Sequence, residues 1–155
     1  MSRTSILVLA CLLAACAASP EKQLEKARER LTAGDLAAAG EAANAGLGGG
    51  ATGPVAWRLE LTALESEARR GLTAQVLARL ERLAGTWASQ LNGGLYVQTA
   101  RQVKEAGDAA GAITVLDAGA KRLPKDTAIS QAIAQAKGTE NSAELERLRC
   151  LGHVE

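Results

Sequence analysis

The stretch "KEAGDAAGA", Lys104 to Ala112, reads as the end of one helix and the start of another. Gly107 offers the left-handed conformation with which helices commonly close, and Asp108 directly after it offers a side-chain oxygen to the open amides of a new first turn. The same pattern stands at "LTAGDLAAA", Leu31 to Ala39, and at "ARRGLTAQV", Ala68 to Val76. Its glycines, Gly34, Gly71 and Gly107, lie 37 and 36 residues apart, and Asp35, Thr73 and Asp108 are the predicted N-caps. Each junction is too short for anything but a tight turn, so each predicts an antiparallel helix pair, and the regular spacing predicts a repeat.

The apolar residues on either side carry the helical period. Trp57, Leu61, Leu64 and Ala68 follow steps of three and four, as do Val76, Leu80, Leu83, Trp87 and Leu91. The second stripe passes through Gly85, so it predicts one long helix up to the stop signal "NGG" at positions 92–94, despite the ~1 kcal/mol penalty of an interior glycine. Ile113, Leu116, Ala120 and Leu123 line another helix, which Pro124 ends. Asp126 is placed to cap a helix bearing Ile129, Ile133 and Ala136 and closing at Gly138; a last one runs from Ser142 through Leu145 and Leu148 to Gly152. No stretch alternates with the period of a strand, so the predicted fold class is all-α.

In the third pair, Tyr96, Ala100, Val103, Gly107, Ala112, Leu116 and Pro124 fall where the tetratricopeptide repeat places its large, small, large, turn, small, large and terminating residues. The chain resembles that family over residues 20 to 137. Gly119 stands where the family usually has Ala. The first pair keeps Ala27, Gly34, Asp35 and Ala39 but has Ala51 for the closing Pro, and in the middle pair Leu64 and Val76 occupy the small positions. The resemblance implies a right-handed superhelical stack of about three antiparallel helix pairs, with the helices after Pro124 as its C-terminal cover. The competing reading is an unrelated helical bundle.

Composition narrows the function. The 17 acidic and 18 basic residues of the 155-residue chain nearly cancel, so no charge footprint for nucleic acid exists. Trp57, Trp87 and Tyr96 are the aromatic residues and Phe is absent, so a core must come from Leu, Ile, Val and Ala. Both Ala and Leu favour helices, and small side chains let helices approach closely.

The N-terminus carries an address. Arg3 precedes the apolar run "ILVLACLLAA", Ile6 to Ala15, which is too short to span a membrane, a task for about 20 residues. Leu13, Ala14 and Ala15 lead directly into Cys16, an arrangement that resembles the lipobox of bacterial lipoproteins. That resemblance implies a cleaved signal peptide over 1–15, acylation of Cys16 and a short lipidated tether over 16–19. Ala17, where Asp is absent, implies the periplasmic face of the outer membrane. Cys11 has only five apolar residues before it and fits less well. Ser19 and Pro20 predict a helix start as N-cap and first-turn residue, so the domain over 20–155 begins within ~15 Å of the lipid.

Catalysis finds little to work with. His153 and Cys150 stand three residues apart at the C-terminus, and two ligands do not make a zinc site. "LGGGATGP", Leu47 to Pro54, lacks the Lys-Ser/Thr ending of a phosphate loop and reads as a connection between repeats. No catalytic residue, metal or cofactor is expected. An enzyme or redox factor using Cys150 and His153 is the rival class. The closing "LRCLGHVE" resembles an L-x-x-L-G-Y-V tail of bacterial exported proteins, with His in place of Tyr.

In tetratricopeptide solenoids the first helix of each pair lines a concave groove. The resemblance places Arg28, Arg58, Leu61, Glu65, Arg69, Val97, Arg101 and Lys104 there. Five of the eight are basic, and guanidinium forks suit carboxylates, so the expected ligand is an acidic segment of an envelope protein or peptide. Similarity to the adaptor lipoproteins of envelope assembly, such as pilotins and activators of cell-wall synthases, implies a scaffold in assembly, secretion or cell-wall maintenance.

Overall fold

The structure is a computed structural model and describes residues 18–150, with side chains through residue 138. The described chain is all-α. Its helices are α1 (Pro20–Thr32), α2 (Leu36–Gly48), α3 (Gly53–Arg69), α4 (Thr73–Thr86), α5 (Gly93–Glu105), α6 (Ala109–Arg122) and α7 (Thr127–Cys150), with a 3-10 turn at Ala88–Gln90. No strand occurs among the described residues. The chain divides into two compact units, Met1–Ser66 and Glu67–Glu155.

The three glycine junctions fold alike. In each, the N–H of the residue after glycine donates five positions back, Asp35 to Arg30 O at 2.9 Å, Leu72 to Glu67 O at 3.0 Å and Asp108 to Val103 O at 3.2 Å. The glycine N–H donates three positions back, to Leu31, Ala68 and Lys104. This ladder satisfies carbonyls that a helix end would otherwise leave open, and it requires a left-handed residue. Gly34, Gly71 and Gly107 supply it with φ of 80°, 68° and 98°.

Asp35 and Asp108 cap α2 and α6 as predicted, accepting from the Ala38 N–H at 3.2 Å and the Gly111 N–H at 2.8 Å. Thr73 does not cap α4. The junction leaves Leu72 in the N-cap position without a side-chain cap, and Thr73 is the first helical residue. Its hydroxyl instead donates to Asp108 Oδ2 at 2.6 Å. A tertiary partner 35 positions away outcompetes the local one.

In the first unit α1 and α2 form an antiparallel pair against α3. The core is Leu24, Ala27, Ala42, Ala43, Leu59 and Ala63, with Leu47, Ala51 and Val55 against it. Its alanines bring backbones close together. The Ser66 hydroxyl donates to Leu36 O at 2.6 Å and crosses directly over Gly40, where a Cβ would stand 2.7 Å from Ser66 Oγ.

In the second unit α5 and α6 form the antiparallel pair, α7 packs on both, and α4 packs on α6. Tyr96, Ala100, Val103, Val115, Leu116 and Ile129 are buried. Gly119 makes room for the Tyr96 ring, since a Cβ there would meet Tyr96 Cγ at 2.8 Å. Burial pushes the Tyr96 phenol above its ordinary value, with nearby Arg122 opposing the shift and Glu81 adding to it. The last turn of α3 is tied to α4 by a buried fork: Arg79 Nε and Nη2 donate to the two Glu67 carboxylate oxygens at 2.8 and 2.6 Å.

Two predicted helices have different bounds. The stripe from Val76 to Leu91 does not form one helix; α4 ends at Thr86 and Trp87 turns out of it with φ −126°. Gly85 weakens this end, and Asn92 acts as the N-cap of α5 rather than as a stop, accepting from the Leu95 N–H at 3.1 Å. Leu91 is buried from the extended connection between the two helices. Conversely, Gly138 does not close its helix, since α7 runs unbroken to Cys150. A ~1 kcal/mol glycine penalty does not by itself end a helix whose neighbours on both sides favour it.

Candidate functional site

Three helices of the second unit each present a helical stripe to one trough. From α5 come Val97, Ala100, Arg101 and Lys104; from α6 come Ala109, Ala112, Ile113 and Leu116; from α7 come Ala132, Gln135 and Ala136. Each set follows the i, i+3, i+4 spacing that puts side chains on one face. The hollow measures about 510 Å³, within the range of ligand pockets. Its floor is apolar and built largely of alanine. Arg101 and Lys104, both exposed, stand on the α5 lip, and Gln135 stands on the α7 lip.

One carboxylate sets the two lips relative to each other. Asp126 accepts from the Ala128 and Ile129 N–H groups at 3.0 and 3.2 Å, which caps α7, and also from the Gly93 N–H at 3.2 Å in the first turn of α5. Gly93 has no side chain to hold the acid off, since a Cβ there would collide with the Asp126 carboxylate. The walls α5 and α7 thus start from a shared anchor. At the far end of the trough the Asp108 carboxylate caps α6. The Thr73 hydroxyl first, and the Gly111 N–H second, hold it below the usual carboxylate range.

The predicted binding residues fall in two places. Val97, Arg101 and Lys104 line the trough of the second unit. In the first unit Arg28, Arg58 and Leu61 come together with Thr62 around a hollow of about 380 Å³ between α1 and α3. Glu65, half-buried, and Arg69, exposed, lie further along α3 and line neither hollow. Sequence reasoning missed the α7 wall and read Ala112 only as a small position of the repeat. The available signal was the recurrence of alanine at helical spacing in three consecutive helices.

The trough offers an apolar surface with two exposed cations on one lip. Among the described residues no cluster of three His, Cys, Asp or Glu could hold a metal ion, and no helix is long and apolar enough to cross a membrane. The expected acylation site Cys16, the expected signal segment and His153 lie outside the described residues, as does the Cys150 side chain. Comparison with family models, curated proteins and solved structures gave no match.

Proposed function

We propose that this chain is a non-enzymatic scaffold, anchored by acylated Cys16 to the periplasmic face of the outer membrane, that docks another envelope protein. The observation that carries the reading is the trough: an apolar floor of ligand-pocket size with two cations on one lip. Its helices belong to a stack of tetratricopeptide-like pairs. Support for that stack comes from three junctions with one hydrogen-bond ladder at near-constant spacing, and from burial of Tyr96, Ala100, Val103, Ala112 and Leu116. The anchor rests on the lipobox-like run into Cys16. Two or more acyl chains hold a protein stably on a bilayer, where one alone is marginal.

Two measurements test the reading together. Cys16→Ala should release the protein from the membrane fraction, and a photo-crosslinking residue at Ile113 should capture one partner in intact cells. A Cys16→Ala protein that stays embedded as firmly as wild type refutes the anchor. If replacing both Cys150 and His153 abolishes cellular function while the fold persists, the rival enzyme or redox reading replaces this one.

A further inference from the structure

We infer that the trough seats one amphipathic α-helix of the partner, with apolar residues at i, i+3 or i+4, and i+7 facing inward and acidic residues along one flank. The inference rests on the scaffold reading and names the partner's chemistry.

The length of the trough matches the repeat of a helix. Val97 to Lys104 and Ala109 to Leu116 each advance seven residues, about 10.5 Å at ~1.5 Å per residue. A docking helix with anchors at i and i+7 advances by the same amount, so its ridges match the spacing of the walls. The trough accepts one face of a helix and leaves its flank level with the lips. Alanines at 100, 109, 112, 132 and 136 let that face come close.

Backbone chemistry favours a helix over an extended segment. The walls are helices whose amides and carbonyls already bond within themselves, so a strand laid between them would find no main-chain partners and would bury open polar groups. A helix brings its own bonds satisfied. Charge then sets its flank. Arg101 and Lys104 lie three residues apart on one lip, and the facing lip carries the neutral Gln135. Arg101 holds Glu105 only at 3.7 Å in a pair more than two-thirds exposed on both sides, a contact weak enough to exchange. Two carboxylates a turn apart on the docking helix would meet both cations; a fatty acyl chain offers one.

The test uses the full chain in lipid nanodiscs and a stapled peptide of about 15 residues, long enough to stay helical. The peptide carries leucines at the anchor positions and glutamates on one flank. Three controls accompany it: a lysine-flanked counterpart, a proline-interrupted version of the same composition, and dodecanoate. The glutamate helix should bind, with the lysine helix weaker by about tenfold or more at low salt and the difference shrinking as salt rises. The exposed double change Arg101→Glu with Lys104→Glu should invert that preference. Ala132→Trp should block the glutamate helix with helicity and melting unchanged. Equal binding of the proline peptide, tight binding of dodecanoate without the peptide, or no effect of the lip reversal would each overturn the inference. In that event a partner captured in cells from a crosslinker at Arg58 would leave the scaffold reading standing with its surface on the other unit.

Discussion

Glu67 and Arg79 provide the sharpest energetic test of the second unit. Their side chains are 9% and 5% exposed, and two parallel hydrogen bonds of 2.6 and 2.8 Å join them. With charge centres ~4 Å apart and an effective dielectric of ~20, the attraction is about 4 kcal/mol. Desolvation costs several kcal/mol per ion, so the pair as a whole contributes little. Removing the Glu67 carboxylate is another matter, because Arg79 stays buried and loses both bonds of the fork. Glu67→Leu should therefore cost about 3–5 kcal/mol. In melting temperature the single change corresponds to a drop of roughly 6–20 °C for a chain of this size. Urea denaturation in a Trp57→Phe background makes Trp87, at the end of α4, the sole tryptophan reporter. A Glu67→Leu cost below about 1 kcal/mol would refute the reasoning.

Asp108 should shape the acid limb of stability. Its carboxyl is lowered in the folded state by the Thr73 hydroxyl and the Gly111 amide, so its contribution is full above the unfolded value of ~4 and fades as pH falls through the lower folded one. Asp108→Asn should flatten that limb in urea midpoints measured from neutral to acid pH; an unchanged slope would count against the bond. Gly119→Ala should cost about 1–3 kcal/mol by pressing on Tyr96, read as a lower melting temperature, and an unaltered one would show that the ring has room to move. Asp126→Ala should cost about 1–2 kcal/mol through the lost cap and should also weaken the glutamate-flanked helix, since α5 and α7 lose their common anchor. Destabilisation with undiminished peptide affinity would mean the lips are held by something else.

What could be read from the chain depended on whether its cause was local. Gly34, Gly71 and Gly107 were legible because a turn of this kind needs a left-handed residue, and Asp35 and Asp108 because their caps reach only three residues ahead. Thr73 looked like a third cap, yet its hydroxyl answers to Asp108. Trp87 and Leu91 continue the α4 stripe in spacing alone; Asn92 begins the next helix, and a stripe does not record which residue leaves the ladder first. The trough was half legible. Val97, Arg101 and Lys104 were placed on a binding face by analogy, but whether the alanine stripes of α5, α6 and α7 would be covered or left open is decided by how three helices meet.

The alanine core of the first unit has a calorimetric consequence. Ala27, Ala39, Ala43 and Ala63 are completely buried, yet each removes only a methyl group from water. The heat-capacity change of unfolding scales with apolar area exposed, and globular chains average about 12–15 cal/mol/K per residue. A unit that achieves close packing through small side chains should fall below that average. Its stability curve should then be flatter than that of a leucine-rich bundle of the same length, with less to lose on cooling.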